Sequence, residues 1–348
     1  MGRTAGRGLL TAVSLIDVGR YLPGDPVGLD RYAALIDPDT TLNWDTPMFR
    51  PPTYRHVSGH RESAVDMVER AARDLFDRLG SDARHGLDVI LTNVLLPDVP
   101  FTGVGAALAH RIGARPDWVL DVHNAGCASF VMLLRLAKMI IQTTSARTAL
   151  LCNVQNAAGT IFAQPDVITC PPSAIPGDGA AAAYVVASAE SPVLDVEIVH
   201  RPEAAPDVGL QFSDDRRYWE PGSGQMNVRF TEASVEKIIE RGNRLVPDVV
   251  RTVCSRVGVD TGDIDVLITN QPNHMFLHTW SAALGLDRDR HLDTFDRYGN
   301  LFGAAAPITL SHAIEDGAIP DNGLVVLAGF AHAGDLAGAA AVRWRAGG

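Results

Sequence analysis

The chain alternates short apolar runs with longer amphipathic segments, a pattern typical of layered α/β proteins. Apolar residues at helical spacing predict a helix from Glu62 to Leu79 with one buried face. The segment from Ala128 to Thr144 is apolar nearly all round, which predicts a central buried helix. Short apolar runs predict strands at Leu87 to Asn93, Asp117 to His123 and Arg147 to Val154.

The second half of the chain repeats this order of elements. A helix is predicted from Val235 to Val257, with an interruption near Pro247 because proline lacks the N–H that a helix interior needs. It is followed by IDVLITN, Ile264 to Asn270, which matches LDVILTN, Leu87 to Asn93, almost residue for residue. The match predicts that two similar α/β units follow one another.

The two halves also end alike, since each has a Gly-Asp pair before an alanine-rich strand, AAAAYVVA in the first and AGAAAVRW in the second. We therefore predict two pseudo-repeated α/β halves, residues 1–190 and 191–348. The segment from Pro192 to Gly224 is richer in proline and charge, and we expect a crossover and a surface excursion there.

Charge and composition narrow the function classes. The net charge of -11 over 348 residues argues against non-specific nucleic-acid binding, which needs a concentrated basic surface. No apolar stretch approaches the roughly 20 residues that a membrane span requires, and Asp17 interrupts the N-terminal apolar run, so neither a span nor a signal peptide is expected. The four cysteines show no close pairing, which favours reduced thiols and a soluble cytoplasmic protein.

One cysteine stands out by its position. The sequence DVHNAGCASF puts Cys127 after a predicted strand and at the start of the apolar helix. Unpaired backbone N–H groups and the helix dipole at such a place stabilise a thiolate and lower a pKa that is otherwise about 8.5. The same groups can form half of an oxyanion hole. We predict that Cys127 is a nucleophile, whereas Cys152, Cys170 and Cys254 are expected to be small apolar core residues.

Four segments together carry a resemblance to a known family. They are Asp121 to Cys127, the GDGA motif at Gly177 to Ala180, the YGNLFGAAAP segment with Asn300, and the C-terminal GFAHAGDLAGAAAVRW. From about Val13 to Trp344 the chain resembles the β-ketoacyl-acyl-carrier-protein synthase III family of thiolase-fold condensing enzymes. It is similar to divergent members of the acyltransferase type found in secondary metabolism.

The resemblance implies a thiolase fold with a layered αβαβα core, and a homodimer. It implies no bound cofactor and no metal, because coenzyme A or phosphopantetheine thioesters enter as substrates. The implied partners are acyl-CoA or acyl carrier protein and a small-molecule acceptor. By the same resemblance Gly334, Gln271 and Asn273 are expected to bind substrate.

The chain departs from the family at the catalytic histidine. Where the family has H-Q-A-N, this chain reads Asn270-Gln271-Pro272-Asn273, so Asn270 takes the histidine position. Asn300 falls where the family has its catalytic asparagine. The implied site is therefore Cys127, Asn270 and Asn300. Two amides can donate hydrogen bonds to a thioester or enolate oxygen, but neither can act as a base.

Another group must then take the proton, or the helix N-terminus alone must activate the thiol. The candidates are His123, His274, His278 and His332. We favour His332 as the substitute base, since it lies in the C-terminal loop that lines the oxyanion hole in this family and has Asp335 nearby. For each histidine taken singly, an ordinary surface or supporting role stays open.

Carrier-protein docking is less expected than in the family at large. The family usually has a basic residue two positions beyond its H-Q-A-N segment, and this chain has Met275 there. Four arginines form either a substitute basic patch or a solvated charged face: Arg216, Arg217, Arg241 and Arg244.

Three functions follow, in order of preference. The first is an acyltransferase that holds an acyl group on Cys127 and passes it to an alcohol, amine or thiol, in polyketide or antibiotic metabolism. The second is the family's usual decarboxylative Claisen condensation with a malonyl thioester. The third is an inactive scaffold that pairs with an active homologue.

Overall fold

The computed structural model describes residues 11–36, 47–229, 232–332 and 334–345. The strands are β1 Ser14–Tyr21, β2 Val27–Gly28, β3 Tyr54–Arg55, β4 Val89–Val94, β5 Trp118–Asp121, β6 Thr148–Gln155, β7 Gly179–Val186, β8 Val193–His200, β9 Gly209–Phe212, β10 Met226–Arg229, β11 Val266–Thr269, β12 Leu324–Ala331 and β13 Leu336–Arg343. The helices are α1 Leu29–Ala33, α2 Ala64–Leu79, α3 Ser81–His85, α4 Gly105–Ile112, α5 Ser129–Thr143, α6 Glu232–Val257, α7 His274–Leu284, α8 Phe295–Tyr298 and α9 Ala305–Glu315.

Two sheets of matching topology form the framework. The first has the order β1-β7-β6-β4-β5, in which β4 is parallel to β5 and β6 while β7 is antiparallel to β1 and β6. The second has the order β8-β13-β12-β11 with the same relative directions. A parallel bridge between Leu267 and His291 lies where the first sheet has β5. The repeat that the two similar strand sequences predict is therefore a repeat of the whole sheet.

The sheets stack face to face with helices between and outside them. Helices α5 and α9 contact strands of both sheets, whereas α2 and α4 cover the outer face of the first sheet and α6 covers that of the second. Most central strands are buried along their whole length, as expected of sheets covered on both faces. The predicted αβαβα thiolase fold is confirmed. The boundary between residues 190 and 191 stays a prediction.

Helix α2 begins two residues later than predicted because its capping residue is Ser63. The Ser63 hydroxyl accepts a hydrogen bond from Asp66 N, and the Asp66 carboxylate accepts one from Ser63 N. The Asp98 carboxylate also accepts from Ala64 N at 2.7 Å. Asp66 and Asp98 therefore provide acceptors for N–H groups at the helix start that have no partner within the helix. The buried face packs so closely on β1 that a Cβ atom added at Gly19 would overlap the α2 backbone.

Helix α5 is the predicted central helix, beginning one residue later than expected. By length and composition residues 126–143 could cross a membrane, and they are the one such stretch among the described residues. In this fold Phe130, Leu133, Leu134 and Ala137 are instead buried between the two sheets. The apolar character of α5 is that of a core helix.

One sequence expectation about the second half was wrong. Helix α6 runs without interruption from Glu232 to Val257 and contains Pro247. Its neighbours Val246, Val249 and Val250 are buried against the second sheet, and this packing outweighs the lost backbone hydrogen bond. The segment from Pro192 to Gly224, where a crossover and a surface excursion are expected, contains β8, an edge strand of the second sheet.

Candidate active site

The predicted nucleophile lies in a tight turn between two elements. Gly126–Ala128 forms one 3₁₀ turn that leads directly into α5, so Cys127 stands at the helix entrance. Gly126 has a φ of 43°, a conformation that favours glycine. A Cβ atom added there would lie 3.0 Å from His332 Nε2 and 3.2 Å from Ala331 Cβ. A side chain at residue 126 would therefore press on the C-terminal loop, and glycine lets the turn approach it closely.

The electrostatics of Cys127 differ from the expectation. The residue is half-buried, but protein surrounds the thiol closely enough that desolvation raises its pKa to about 12. Its own backbone N–H lowers the pKa only in part, and the Asp335 carboxylate raises it further. The expectation of a lowered pKa was wrong for this arrangement. At a pKa of about 12 the Cys127 thiol is protonated at neutral pH, so a nucleophilic attack by it would require a base.

A histidine and an aspartate meet beside this turn. His332 Nδ1 lies 2.9 Å from Asp335 Oδ1, which orients the ring and leaves Nε2 facing Gly126. His332 has a φ of 50°, and non-glycine residues rarely adopt such a conformation outside sites that require it. It follows the end of β12, so the sheet fixes the position from which the ring reaches the turn.

The other candidate bases are placed differently. His274 lies between two carboxylates, with Nδ1 3.2 Å from Asp293 and Nε2 3.0 Å from Asp296. Hydrogen bonding to Asp293, followed by the Asp296 interaction, raises the pKa of His274 despite partial burial. His123 and His278 are exposed, as His332 is, so exposure does not separate the three. Of these histidines, His332 is the one whose ring packs against the residue preceding Cys127.

Asn270 directly follows β11 and lies near the backbone of Cys127, with Gly329 between them. Its Oδ1 accepts a hydrogen bond from Phe330 N at 3.3 Å, and the residue is buried. A Cβ atom added at Gly329 would lie 2.9 Å from Asn270 Oδ1 and 3.2 Å from the Cys127 carbonyl oxygen. With its oxygen accepting from the backbone, the carboxamide has its NH₂ group left as a donor.

Asn300 occupies a turn that packs against the Cys127 turn. Its Oδ1 accepts from Phe302 N at 2.9 Å, so here too the acceptor atom is used by the backbone. Phe302 has a φ of 46°, a strained conformation for this residue type. A Cβ atom added at Gly303 would overlap Ser129 Oγ and lie 2.7 Å from the Gly126 carbonyl oxygen. The structure therefore brings together the turns that hold Cys127, Asn300 and His332.

The GDGA motif has a structural task beside this site. The buried Asp178 carboxylate accepts hydrogen bonds from Ser58 N and Oγ, Ala158 N and Gly159 N, at 2.7 to 2.9 Å. Gly177 N donates to the Asn300 carbonyl oxygen at 3.2 Å. The motif thus ties two loops to the backbone of Asn300.

Of the three expected substrate-binding residues, Gln271 and Asn273 have their side-chain polar atoms occupied, and Gly334 has its N–H occupied. Gln271 donates to Thr269 and Leu292 carbonyls and accepts from Thr294 N. Asn273 caps α7 through Phe276 N and donates to the Met48 carbonyl. The Gly334 N–H donates to Ala331 O at 2.8 Å. These contacts favour a positioning role for Gln271, Asn273 and Gly334 rather than direct substrate contact.

Several polar residues near the turn were not predicted. They are buried side chains on the central-layer face of the first sheet and on α5: Asn93, Ser129, Asn153 and Gln155. A signal was available, because Asn93 and Asn153 come at the ends of apolar strands, and Asn93 is the counterpart of Asn270 in the repeated strand sequence. Within the described ranges, no group of three or more histidine, cysteine or acidic residues could hold a metal ion.

Comparison with known proteins identifies the group to which this arrangement belongs. Residues 120–201 match the profile of 3-oxoacyl-[acyl-carrier-protein] synthase III, and residues 254–344 match the C-terminal profile of the same enzyme. A β-ketoacyl-[acyl-carrier-protein] synthase III of Oceanobacillus iheyensis is 27% identical over 336 residues, which cover 95% of this chain and 99% of that protein.

Solved structures agree with the fold. The β-ketoacyl-[acyl carrier protein] synthase III of Thermus thermophilus superposes with a TM-score of 0.82 at 22% identity and covers 96% of this chain and 100% of its own. The priming β-ketosynthase of the R1128 polyketide pathway gives 0.83 at 21%, covering 98% and 99%. The profile matches, which include the Cys127 and Asn300 segments, together with the fold show that the chain belongs to the 3-oxoacyl-[acyl-carrier-protein] synthase III family, a family of acyl-transferring enzymes.

Proposed function

We propose that this protein is an acyltransferase that carries an acyl group as a thioester on Cys127. The observation that carries the proposal is the His332–Asp335 pair, whose free ring nitrogen faces the Cys127 turn. A thiol whose pKa is raised to about 12 needs such a base, and Asn270 at the family's histidine position cannot supply it. His332 supplies the proton acceptor from the opposite loop.

The first half-reaction loads the enzyme. His332 Nε2 takes the Cys127 proton as the sulfur attacks the thioester carbonyl of an acyl-CoA or acyl carrier protein. The tetrahedral oxyanion collapses, the C–S bond to the donor breaks, and the departing thiolate receives the proton from His332. Asp335 stabilises the imidazolium between these steps.

The second half-reaction passes the acyl group on. The hydroxyl, amine or thiol of the acceptor attacks the Cys127 thioester and gives its proton to His332. The Cys127 thiolate leaves and is reprotonated by the same histidine. The sum is one acyl thioester plus one acceptor giving one acylated acceptor plus one free thiol, with no carbon dioxide released.

The two amides suit the oxyanion of both steps. Asn270 and Asn300 each have Oδ1 bound to a backbone N–H, so each has its NH₂ group left to donate. One well-placed donor to a tetrahedral oxyanion is worth roughly 3 kcal/mol of transition-state stabilisation. We propose Asn270 and Asn300 as these donors, with Gln271, Asn273 and Gly334 holding their loops in position.

Decarboxylative condensation with a malonyl thioester is the second candidate. It is favoured by the names of the relatives, and two amide donors could also hold an enolate oxygen. Against it stands the asparagine at the histidine position. We propose that the protein acts in polyketide or antibiotic metabolism. The similarity to the R1128 enzyme supports the shared fold and no more.

A homodimer is proposed as the working state. Strand β5 is the open edge of the first sheet, with Trp118 42% and Leu120 38% exposed. Phe101, in the loop before α4, is 96% exposed. An open edge with exposed apolar residues is suited to pairing with a second copy.

A single-turnover experiment separates the candidates. The enzyme is loaded with an acyl-CoA, freed of excess donor, and offered either malonyl-CoA or a panel of alcohols and amines. We expect discharge to an alcohol or amine and none to malonyl-CoA. Formation of a β-ketoacyl product would establish the condensation instead, and failure to load at all would favour a scaffold.

The Asn270→His variant tests whether this position sets the reaction type. A restored histidine should raise malonyl-CoA decarboxylation above the wild-type rate. No gain in the folded variant would count against the ranking of the two reactions.

A further inference from the structure

A row of buried carboxamides lies beneath the Cys127 turn, on the central-layer face of the first sheet. Asn93 on β4 and Asn153 on β6 are direct neighbours across the strands, and Gln155 follows Asn153 on the same face of β6. We call Asn93, Asn153 and Gln155 the amide row. Asn153 and Gln155 have no measurable exposure to solvent, and Asn93 is nearly as buried.

The row is connected to the nucleophile. Asn153 Nδ2 donates to Ser129 Oγ at 2.7 Å, and Ser129 follows Cys127 by two residues. Gly303 lies between Asn93 and the Cys127 turn. A Cβ atom added to it would be 3.2 Å from Asn93 Oδ1 and 2.7 Å from Gly126 O. The row therefore begins within a few ångströms of the turn that presents the thiol.

Part of this row lacks hydrogen-bond partners. Asn153 Oδ1 and both Gln155 Oε1 and Nε2 have none, although all three atoms are buried. Burying a polar group without a partner is costly, and the great majority of buried polar groups in proteins are paired. The surrounding layer is otherwise apolar, with Leu91, Leu151 and Ile308 in the same core cluster. Three unpaired atoms on two same-face residues are a concentration that packing does not explain.

Resting on the proposed function, we propose that the amide row is a polar subsite for the acyl group, and that the preferred acyl group carries a hydroxyl or amide along its chain. Gln155 offers one vacant donor and one vacant acceptor, and Asn153 offers an acceptor. A hydroxyl or an amide both donates and accepts, so it complements them, whereas an alkyl chain would leave all three atoms unpaired.

Gln155 lies beyond Asn153 along β6 and has no side chain opposite it on β7. It is the last residue of β6, and it lies opposite Gly179 on β7, so no neighbouring side chain on that strand competes for its amide. Same-face residues on a strand are about 7 Å apart, so Gln155 lies roughly that distance beyond Asn153. An acyl group on Cys127 that passes Asn153 would bring its substituent to Gln155.

The expected selectivity is large. A site built to hydrogen-bond a substrate hydroxyl rejects the analogue without it far more strongly than an apolar pocket rejects one extra methylene. Replacing Gln155 by methionine, which has similar volume and no amide, removes the vacant donor and acceptor. It should also leave the unloaded protein at least as stable, because an unpaired buried amide is lost.

The test compares the loading of Cys127 by 3-hydroxybutyryl-CoA, 4-hydroxybutyryl-CoA and butyryl-CoA. For each donor, kcat/KM of loading is obtained by following the acylated protein by intact-protein mass spectrometry. We expect the wild type to prefer at least one hydroxyacyl donor by tenfold or more, and Gln155→Met to lose that preference while gaining on butyryl-CoA. Asn243→Leu, which removes a buried amide oxygen without a partner on α6, is the matched control and should keep the preference.

The outcomes are distinct. Equal or faster loading with butyryl-CoA in the wild type, or an unchanged preference in a folded Gln155→Met, overturns the polar subsite and leaves the proposed function standing. No loading by any thioester overturns both. The wild-type comparison decides the matter even where the variant does not fold, and thermal unfolding of the variant shows whether it does.

Discussion

At the residue scale, the chemistry depends on how a buried thiol loses its proton. The surroundings of Cys127 raise its pKa to about 12, so at neutral pH roughly one molecule in 10⁵ would carry a thiolate without help. We propose that His332, which Asp335 orients, takes that proton. Asn270 stands at the family's histidine position, so this proposal places the proton acceptor in the C-terminal loop instead.

Removing His332 should therefore slow the loading of Cys127. For His332→Ala at pH 7.5 we expect acylation by an acyl-CoA to fall by roughly 10² to 10⁴, the usual range for loss of a general base. Because the thiol's pKa lies well above the range tested, alkylation of Cys127 by iodoacetamide in this variant should rise about tenfold per unit between pH 7 and pH 10. Exposed His278→Ala is the control and should behave as wild type. Loading of His332→Ala at the wild-type rate would remove His332 from the mechanism.

A second histidine gives a prediction about stability. His291 is buried between Thr269 Oγ1 and Ser281 Oγ, at 2.9 and 2.8 Å, and burial lowers its pKa to about 4. Because the unfolded chain binds this proton near pH 6.5, stability is full above that pH and is lost as the pH falls toward 4. Protonation of His291 should lower the free energy of unfolding by about 2 kcal/mol between pH 7.5 and pH 5.

Urea unfolding at pH 7.5 and pH 5 checks this loss. The variant His291→Gln keeps a hydrogen-bonding side chain but does not titrate, so its stability should fall by about 2 kcal/mol less than that of the wild type. His312, whose pKa burial lowers to about 4 as well, remains in both proteins and cancels in the comparison. Equal losses in the two proteins would contradict the assignment.

At the element scale, the site exists because three turns touch. The turn Gly126–Ala128 enters α5, the turn Phe302–Ala304 enters α9, and the loop between β12 and β13 carries His332. Each turn approaches the next through a glycine or through a strained residue. The described part of the chain has four non-glycine residues with positive φ, and two of them, Phe302 and His332, belong to these turns.

Widening one of these contacts should impair catalysis more than folding. In Gly303→Ala the new methyl group would overlap Ser129 Oγ and press on the Gly126 carbonyl, so the Asn300 turn must move away from Cys127. A displacement of about 1 Å can cost on the order of 10² in rate, and we expect a loss of that size in acylation. Gly262→Ala, which meets nothing within 4 Å, is the matched control. Wild-type acylation by a folded Gly303→Ala would contradict the need for this contact.

Local pattern predicted the elements better than it predicted the contacts between them. The paired LDVILTN and IDVLITN strands, the amphipathic α2 and the apolar α5 depend on the periodicity of neighbouring residues, which is visible in the sequence. The continuity of α6 through Pro247, the pKa of Cys127 and the amide row depend on packing between distant segments. The sequence predicted that Cys127 stands at the start of a helix, but it did not show how closely protein surrounds the thiol. The expected lowering of its pKa was wrong for that reason.

At the scale of the whole molecule, two repeated sheets enclose a shared helical layer, and the first sheet has an open edge at β5. If this edge pairs with a second copy, Leu120→Lys should place a charge in the interface and shift the protein to monomers. Light scattering after gel filtration measures this. Leu210→Lys, on the exposed β9 ribbon, is the control and should keep the wild-type mass. A dimer that persists in Leu120→Lys would argue against β5 as the interface.

The claim on which the rest depends is that Cys127 carries an acyl group. Intact-protein mass spectrometry after incubation with a panel of acyl-CoA thioesters tests it directly. We expect the wild type to gain one acyl mass, located on Cys127 by peptide mapping, and Cys127→Ala to gain none. A wild-type mass that stays unchanged with every thioester, or an acyl group that persists in Cys127→Ala, would contradict the account.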